Sequence, residues 1–238
     1  MVLKNYLSKI IATCFLATSL FSVSAFAKTE GLSLGFGVTK NSVDYKNAPI
    51  LIDGAGDTTR LVGSTVSDSS NGYAFNLKYA FPDIIVDGLY LAPSIFYESI
   101  NSSATDESKE GLTLALTSRD GLSYSIGGRH GVKVDLGYDI LDELAAYVTL
   151  GVAVVDYEIN AAYVNGISLP GQRVDGKNSS AIYGFGLNYN IKEDLALNFE
   201  YNRQQLSLSG MATNGDQSFN NVVGTRIESM QIGISSKF

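Results

Sequence analysis

Tryptophan is absent from this chain of 238 residues, cysteine and histidine occur once each, and only four prolines interrupt it. The lone cysteine, Cys14, falls inside an N-terminal leader, so the rest of the chain has no thiol, no disulfide and no thiolate metal site. The Ile11-Ala12-Thr13-Cys14 context fits a lipoprotein site poorly. The single histidine lies in Gly127-Gly128-Arg129-His130-Gly131 with no serine two residues on, so the usual partners of a catalytic histidine are not in place. Its outward parity places His130 near the outer boundary of a strand, as an interfacial residue. Positive charge is also in deficit, with 17 Lys and Arg against 24 Asp and Glu and a net charge of −7. Residues 1–27 hold Lys4 and Lys9 and no acid, so the remainder carries −9. A surface this acidic argues against nucleic acid as a partner, because phosphate binding needs clustered Lys and Arg. Acids such as Asp53, Asp57, Asp68, Asp106, Glu107, Glu110 and Asp216 match no compact Ca²⁺ loop and read as solvated loop charge. No metal and no cofactor is expected.

The leader itself is informative. Lys4 and Lys9 precede a mostly apolar run from Ile10 to Val23, which ends in Ser24-Ala25-Phe26-Ala27. That is a secretory signal peptide with small residues at Ala25 and Ala27 and cleavage expected after Ala27. The run is well short of the roughly 20 apolar residues needed to span a bilayer. Residues 28–238 are therefore the expected mature domain, and no later apolar run is long enough for a transmembrane helix.

What that domain does have is glycine, tyrosine and alternation, which suit strands better than helices. Eight stretches alternate with period two: Leu32–Val38, Tyr73–Phe81, Leu89–Tyr97, Val132–Tyr138, Leu144–Val154, Tyr183–Tyr189, Leu195–Tyr201 and Met230–Phe238. The fourth extends backwards through Leu122, Tyr124 and Ile126 on the same phase. Three connections are short (Pro82–Gly88, Asp139–Glu143, Asn190–Asp194) and four are long and polar (Lys40–Asn71, Ser99–Gly121, Glu158–Ser179, Gln204–Ile227). Asn165-Gly166 and Asn214-Gly215 read as loop-tip turns. Short turns at one end and long loops at the other describe an eight-stranded antiparallel up-and-down transmembrane β-barrel, with both termini on the periplasmic side.

Charge placement carries the lipid argument. The apolar faces of these stretches contain no Asp, Glu, Lys or Arg, whereas Lys78, Glu98, Lys133, Asp135, Glu200 and Lys237 fall on the opposite faces. A Lys or Arg facing lipid near the midplane costs roughly 2–4 kcal/mol, so a bilayer enforces such an absence. The opposite faces are also rich in glycine, and an eight-stranded barrel has an interior only wide enough for side chains to fill. Tyr73, Tyr97, Tyr138, Tyr183, Tyr189 and Tyr201 tend towards strand ends and read as interfacial girdles.

The stretch Ala181–Asn202, a glycine-rich strand followed by an acidic turn and an aromatic-acidic strand, resembles a hairpin of the small outer-membrane β-barrel proteins. That family includes the OmpA transmembrane domain, OmpX and the opacity-type surface proteins. The ending, Met230, Ile232, Ile234 and terminal Phe238, is similar to the signal read by the barrel-assembly machinery, with Ser236 a departure from the usual apolar choice. The resemblance implies residence in the cell outer membrane, among phospholipid and lipopolysaccharide. An end at Phe238 implies no appended peptidoglycan-binding domain.

Lys78, Glu98, Arg129, Lys133, Asp135 and Glu200 are expected to meet in the lumen, as a structural plug or as a gate for a narrow ion path. The expected role is structural and surface-contacting, with an extracellular or host ligand reached through the loops. A small channel is the alternative, and a lipid A-modifying enzyme the less favoured third reading.

Overall fold

The structure is a computed structural model that describes residues 29–52, 58–60, 64–106, 122–164, 167–214 and 217–238. Its strands are β1 (Gly31–Ile52), β2 (Thr58–Arg60), β3 (Ser64–Ala80), β4 (Leu89–Asp106), β5 (Leu122–Asp139), β6 (Leu144–Val164), β7 (Ile167–Lys192), β8 (Leu195–Asn214) and β9 (Gln217–Lys237). Each long strand pairs antiparallel with the next, and β9 returns to β1 over Ser33↔Lys237 to Ile52↔Ser218, closing the sheet. The short β2 only extends the far end of β1 as a hairpin. Within the belt all eight ladders are formed, so the wall has no unpaired edge there, the condition for a sheet that lies in hydrocarbon.

The three short turns fall where the sequence places them. In the first, Gly88 adopts φ 81° and its amide donates to Asp83 Oδ1 at 2.8 Å, while Asp83 itself takes φ 53°. The second is drawn tight by Ile140 donating to the Leu144 carbonyl at 2.8 Å. Phe238 donates its amide to the Leu32 carbonyl at 2.9 Å, so the chain ends on the same rim as these turns.

The four long connections are a correction to the sequence reading. They are not loops from their first residue. β1 and β3 stay in register out to Asn47↔Ser64, and β8 and β9 out to Asn214↔Gln217. Eight strands of 17 to 26 residues are roughly twice the 9–11 residues that cross a bilayer. The excess rises beyond the apolar belt as two arms, β8-β9-β1-β3 and β4-β5-β6-β7, because β3 and β4 pair only over Ala74↔Glu98 to Lys78↔Ser94 and β7 and β8 only from Ile182↔Gln204 downwards. Of the segment 99–121, Ser99–Asp106 belongs to β4, and 107–121 lie outside the described residues.

A second correction concerns β5. The backward extension put Tyr124 and Ile126 on the same face as Val132 and Val134, yet both are buried inside while Val132 and Val134 are exposed. The cause is an irregularity in the ladder. Ile126 pairs with Tyr157 and Gly128 with Asp156, which leaves Gly127 as one extra residue without a partner. A single inserted residue reverses every side chain beyond it. On the neighbouring side β4 inserts Ile100 and Asn101 between Ser99 and Ser102, two residues that preserve its own parity. Asn101 absorbs the bend at φ 52°.

Candidate functional site: the lumen and its closure

Below the level of Gly127 the wall is apolar outside and polar inside. Leu34, Phe75, Leu77, Ile95, Leu136, Leu150, Phe185 and Ile232 are exposed, as the period-two pattern requires of a lipid-facing surface. Tyr73, Tyr97, Tyr183 and Tyr201 lie towards the upper edge of this belt, with the Tyr73 and Tyr97 rings 6.1 Å apart, and Tyr138 and Tyr189 lie at its lower edge. His130 is exposed on the outer face opposite Tyr97. Met230 and Ile232 face outward on β9, and Phe238 is exposed at the short-turn rim. Ala25 and Ala27 lie outside the described residues.

All six lumen residues proposed from sequence point inward, and they sort into two layers. In the lower one Lys78 of β3 pairs with Asp135 of β5, and Lys133 of β5 pairs with Glu200 of β8. Tyr147 donates to Glu200 Oε2 at 3.0 Å, and Thr149 donates to Asp135 Oδ1 at 2.7 Å. The two ammonium groups also lie against rings, Lys78 Nζ 4.7 Å from the centroid of Tyr147 and Lys133 Nζ 4.8 Å from that of Phe96. In the upper layer Arg129 is completely buried. It donates to Glu98 Oε2 through Nε at 2.9 Å and Nη2 at 2.7 Å, to Ser229 Oγ at 3.0 Å and to Gln204 Oε1 at 3.3 Å. Gln204 then donates to the Ala153 carbonyl and Ser180 Oγ, both at 3.0 Å, while Ser229 donates to Asn41 Oδ1 at 2.7 Å. This layer ties together seven of the eight long strands.

Three cations and three anions leave the network neutral, which is the condition under which charges persist in a low-dielectric interior. Glycines make room for the rings that pack around it. A Cβ on Gly186 would come within 2.2 Å of the Tyr147 ring, and one on Gly137 within 2.2 Å of the Tyr90 ring. At the short-turn end a cleft lined by Glu30, Asn188, Asn198, Gln231 and Lys237 leaves about 30 Å³ for water centres. That is room for about two water molecules.

Above Gly127 the two faces exchange character. Lys40, Ser42 and Lys46 face out from β1 while Val43 and Tyr45 are fully buried, and on β8 Gln205, Ser207 and Ser209 face out while Leu206 and Leu208 are buried. Tyr124 and Ile126 join them because of the Gly127 bulge. With Ile100, Val155, Val223 and Ile227 they form one apolar cluster across the interior, in which Tyr45 and Tyr124 stack at 5.4 Å. Each buried Leu, Ile or Val contributes about 1.5–3 kcal/mol. The outer wall here carries ion pairs: Arg226 with Asp44, Lys177 with Asp156 at 3.1 Å, and Arg173 with Glu158 at 2.9 Å. The Ser67 hydroxyl and the Arg226 guanidinium hold the Asp44 carboxyl below its usual range. Burial pushes the Tyr45 hydroxyl, which donates to Ser102 Oγ at 3.0 Å, up to about 12.

Sequence reasoning missed this second core because it ended the strands at the belt. The signal was present, since Val43-Asp44-Tyr45-Lys46 and Leu206-Ser207-Leu208-Ser209 still alternate, with the apolar phase on the opposite parity. Asn41, Gln204 and Ser229, the neutral partners of the Arg129 layer, sit at that changeover.

A closed eight-stranded wall with an apolar outer belt and charged side chains inside it defines a transmembrane β-barrel of the outer membrane. Residues 13–238 match the family model of the outer membrane protein beta-barrel domain, and the chain belongs to that family. The outer membrane protein OprG from Pseudomonas aeruginosa is similar in structure, with a TM-score of 0.60 at 13% identity over 90% of this chain and 99% of that one. Ail, the attachment invasion locus protein of Yersinia pestis, matches over 85% of this chain and 99% of its own at 14% identity, with a TM-score of 0.39. The outer membrane protease OmpT from Escherichia coli matches over 91% and 99% at 9% identity, with a TM-score of 0.47. At such identities the likeness to OprG speaks for the fold alone. No curated protein matches the chain.

Proposed function

We propose that the mature protein is a non-conducting, non-enzymatic barrel that anchors a two-armed β-stalk above the outer membrane for surface contacts. The carrying observation is the filling of the lumen: a neutral set of paired charges, then a layer of apolar side chains spanning the interior. An ion entering from outside would have to cross the apolar layer, and such hydrophobic constrictions close a pore by excluding water. The ion-paired outer wall of the stalk, together with the tips above it, is the surface offered to an extracellular or host ligand. Lipopolysaccharide surrounds the base of the stalk. We read residues 1–27 as the removed signal peptide and Met230, Ile232, Ile234 and Phe238 as the contact for the barrel-assembly machinery.

Planar-bilayer recording on refolded protein tests the central part of this reading. The expected trace is a flat baseline. Steady, reproducible openings whose conductance changes with Lys133→Ala would establish the channel reading instead. Mass spectrometry of lipid A from cells with and without the protein is expected to give identical spectra, and a new lipid A species would point to an enzyme.

A further inference from the structure

Two of the three short turns carry apolar side chains where a periplasmic turn is ordinarily polar. In the β3–β4 turn Ile84, Ile85 and Val86 are 40%, 80% and 55% exposed, and in the β5–β6 turn Ile140 and Leu141 are 53% and 59% exposed. The two turns are neighbours, since the Asp139 amide donates to the Gly88 carbonyl at 2.9 Å. They are also fixed in shape. Ile84 donates to the Leu89 carbonyl and Leu89 to the Val86 carbonyl, each at 3.1 Å, and Leu141 and Leu144 exchange a pair of bonds at 3.1 Å. The third turn differs. Its Asn190–Asp194 segment has a single apolar side chain, Ile191, 49% exposed, followed by Lys192-Glu193-Asp194.

The patch is continuous with the lipid-facing belt. Phe81, itself outward and exposed, packs on Tyr79 with ring centroids 4.7 Å apart and leads directly into Ile84–Val86. Height supplies a second reason for lipid contact. From Tyr73 to Phe81 the apolar outer face of β3 runs about 27 Å along the strand at 3.4 Å per residue. A tilt of about 40° reduces that to about 20 Å of height, short of an apolar band about 25 Å tall. Ile84–Val86 extend the face in the direction in which it falls short.

We infer that the β3–β4 and β5–β6 turns form a lip seated in the periplasmic leaflet, with their apolar side chains among the upper acyl chains of its phospholipids. Asp87, Asp142 and Glu143 then stand at the headgroup level, where an ammonium headgroup complements their charge. The β7–β8 turn, with its Lys-Glu-Asp sequence, remains in water. The barrel is thereby embedded more deeply on one side than on the other.

The absence of native tryptophan makes the test direct, because one introduced indole reports alone. Ile85→Trp, Leu77→Trp and Lys192→Trp variants would be refolded into dioleoylphosphatidylcholine vesicles, with and without the same lipid brominated near the ester end of its acyl chains. Retained heat-modifiable migration on gels would show each to be folded. The Ile85→Trp emission is expected to be blue-shifted and quenched to an extent comparable to that of Leu77→Trp, while Lys192→Trp emits as in water and is unquenched. Emission from Ile85→Trp at the aqueous wavelength would overturn the inference. So would blue-shifted emission that bromine does not quench, which would place the patch against protein such as a second copy. Equal quenching at Ile85 and Lys192 would remove the one-sided embedding and overturn it as well.

Discussion

Arg129 shows what a single residue does in this interior. Its guanidinium has no exposure and spends its donors on Glu98, Gln204 and Ser229, so removing either charge of the pair leaves the other buried and alone. Arg129→Met or Glu98→Met should each cost about 3–5 kcal/mol, whereas the double replacement should recover most of that loss. Urea unfolding of the refolded barrel, followed by tyrosine fluorescence, measures all three. Tyr45 gives a residue-scale expectation for pH. Its hydroxyl is held neutral up to about 12, while in the unfolded chain it ionises near 10, so over that window the folded state retains a proton that the unfolded state has lost. Stability is therefore intact below pH 10 and falls as pH rises towards 12, by about 3 kcal/mol at most. Tyr45→Phe should flatten that part of the profile in the same unfolding experiment. The six lumen charges were legible in the sequence because charge on an otherwise small-residue face has nowhere else to go. Their pairing was not, since partners such as Lys133 and Glu200 lie 67 positions apart and meet only after closure.

At the scale of the element, β5 is the instructive strand. Its lower part obeys the period-two reading, and Gly127 then breaks the phase without any change in composition that alternation alone would register. Hydrophobicity continues through Tyr124 and Ile126 as though the same face were being followed. A bulge of one residue is a matter of register between strands, and it becomes visible only when β5 is laid beside β6. Deleting Gly127 should restore simple alternation and turn Tyr124 and Ile126 out of the apolar cluster. Residues 15–238 are free of cysteine, so labelling can follow the change. In the parent background Ser125→Cys should react with a membrane-impermeant maleimide and Tyr124→Cys should not; in the deletion background the order should reverse. Reaction at the same position in both backgrounds would show that Gly127 does not set the phase.

For the molecule as a whole, the organising feature is an exchange of polarity between faces. Below Gly127 the chain is built as a membrane barrel, and above it as two β-arms with polar outer faces and an apolar interior. The lower half was readable because hydrocarbon forbids charge on the outer face of every strand. The upper half escaped because polar outward residues resemble loop residues when composition alone is weighed. The same division sets the response to substitution. Leu136→Lys should cost roughly 2–4 kcal/mol in lipid, while Ser125→Lys, on the same strand but on the wet side of the bulge, should change stability by less than about 0.5 kcal/mol. Both are accessible to reversible urea titration in vesicles.

Spin-label scanning down β5 reaches the exchange itself. Single cysteines from Ser123 to Tyr138, each labelled and reconstituted in vesicles, would be compared for collision with oxygen, which partitions into lipid, and with a water-soluble nickel chelate. Labels at 132, 134, 136 and 138 are expected to favour oxygen. Beyond Gly127, labels at 123 and 125 should favour nickel, and those at 124 and 126 should meet neither. Oxygen preference continuing without a break through 126 and 124 would contradict the exchange of faces and return this strand to a single uninterrupted membrane pattern.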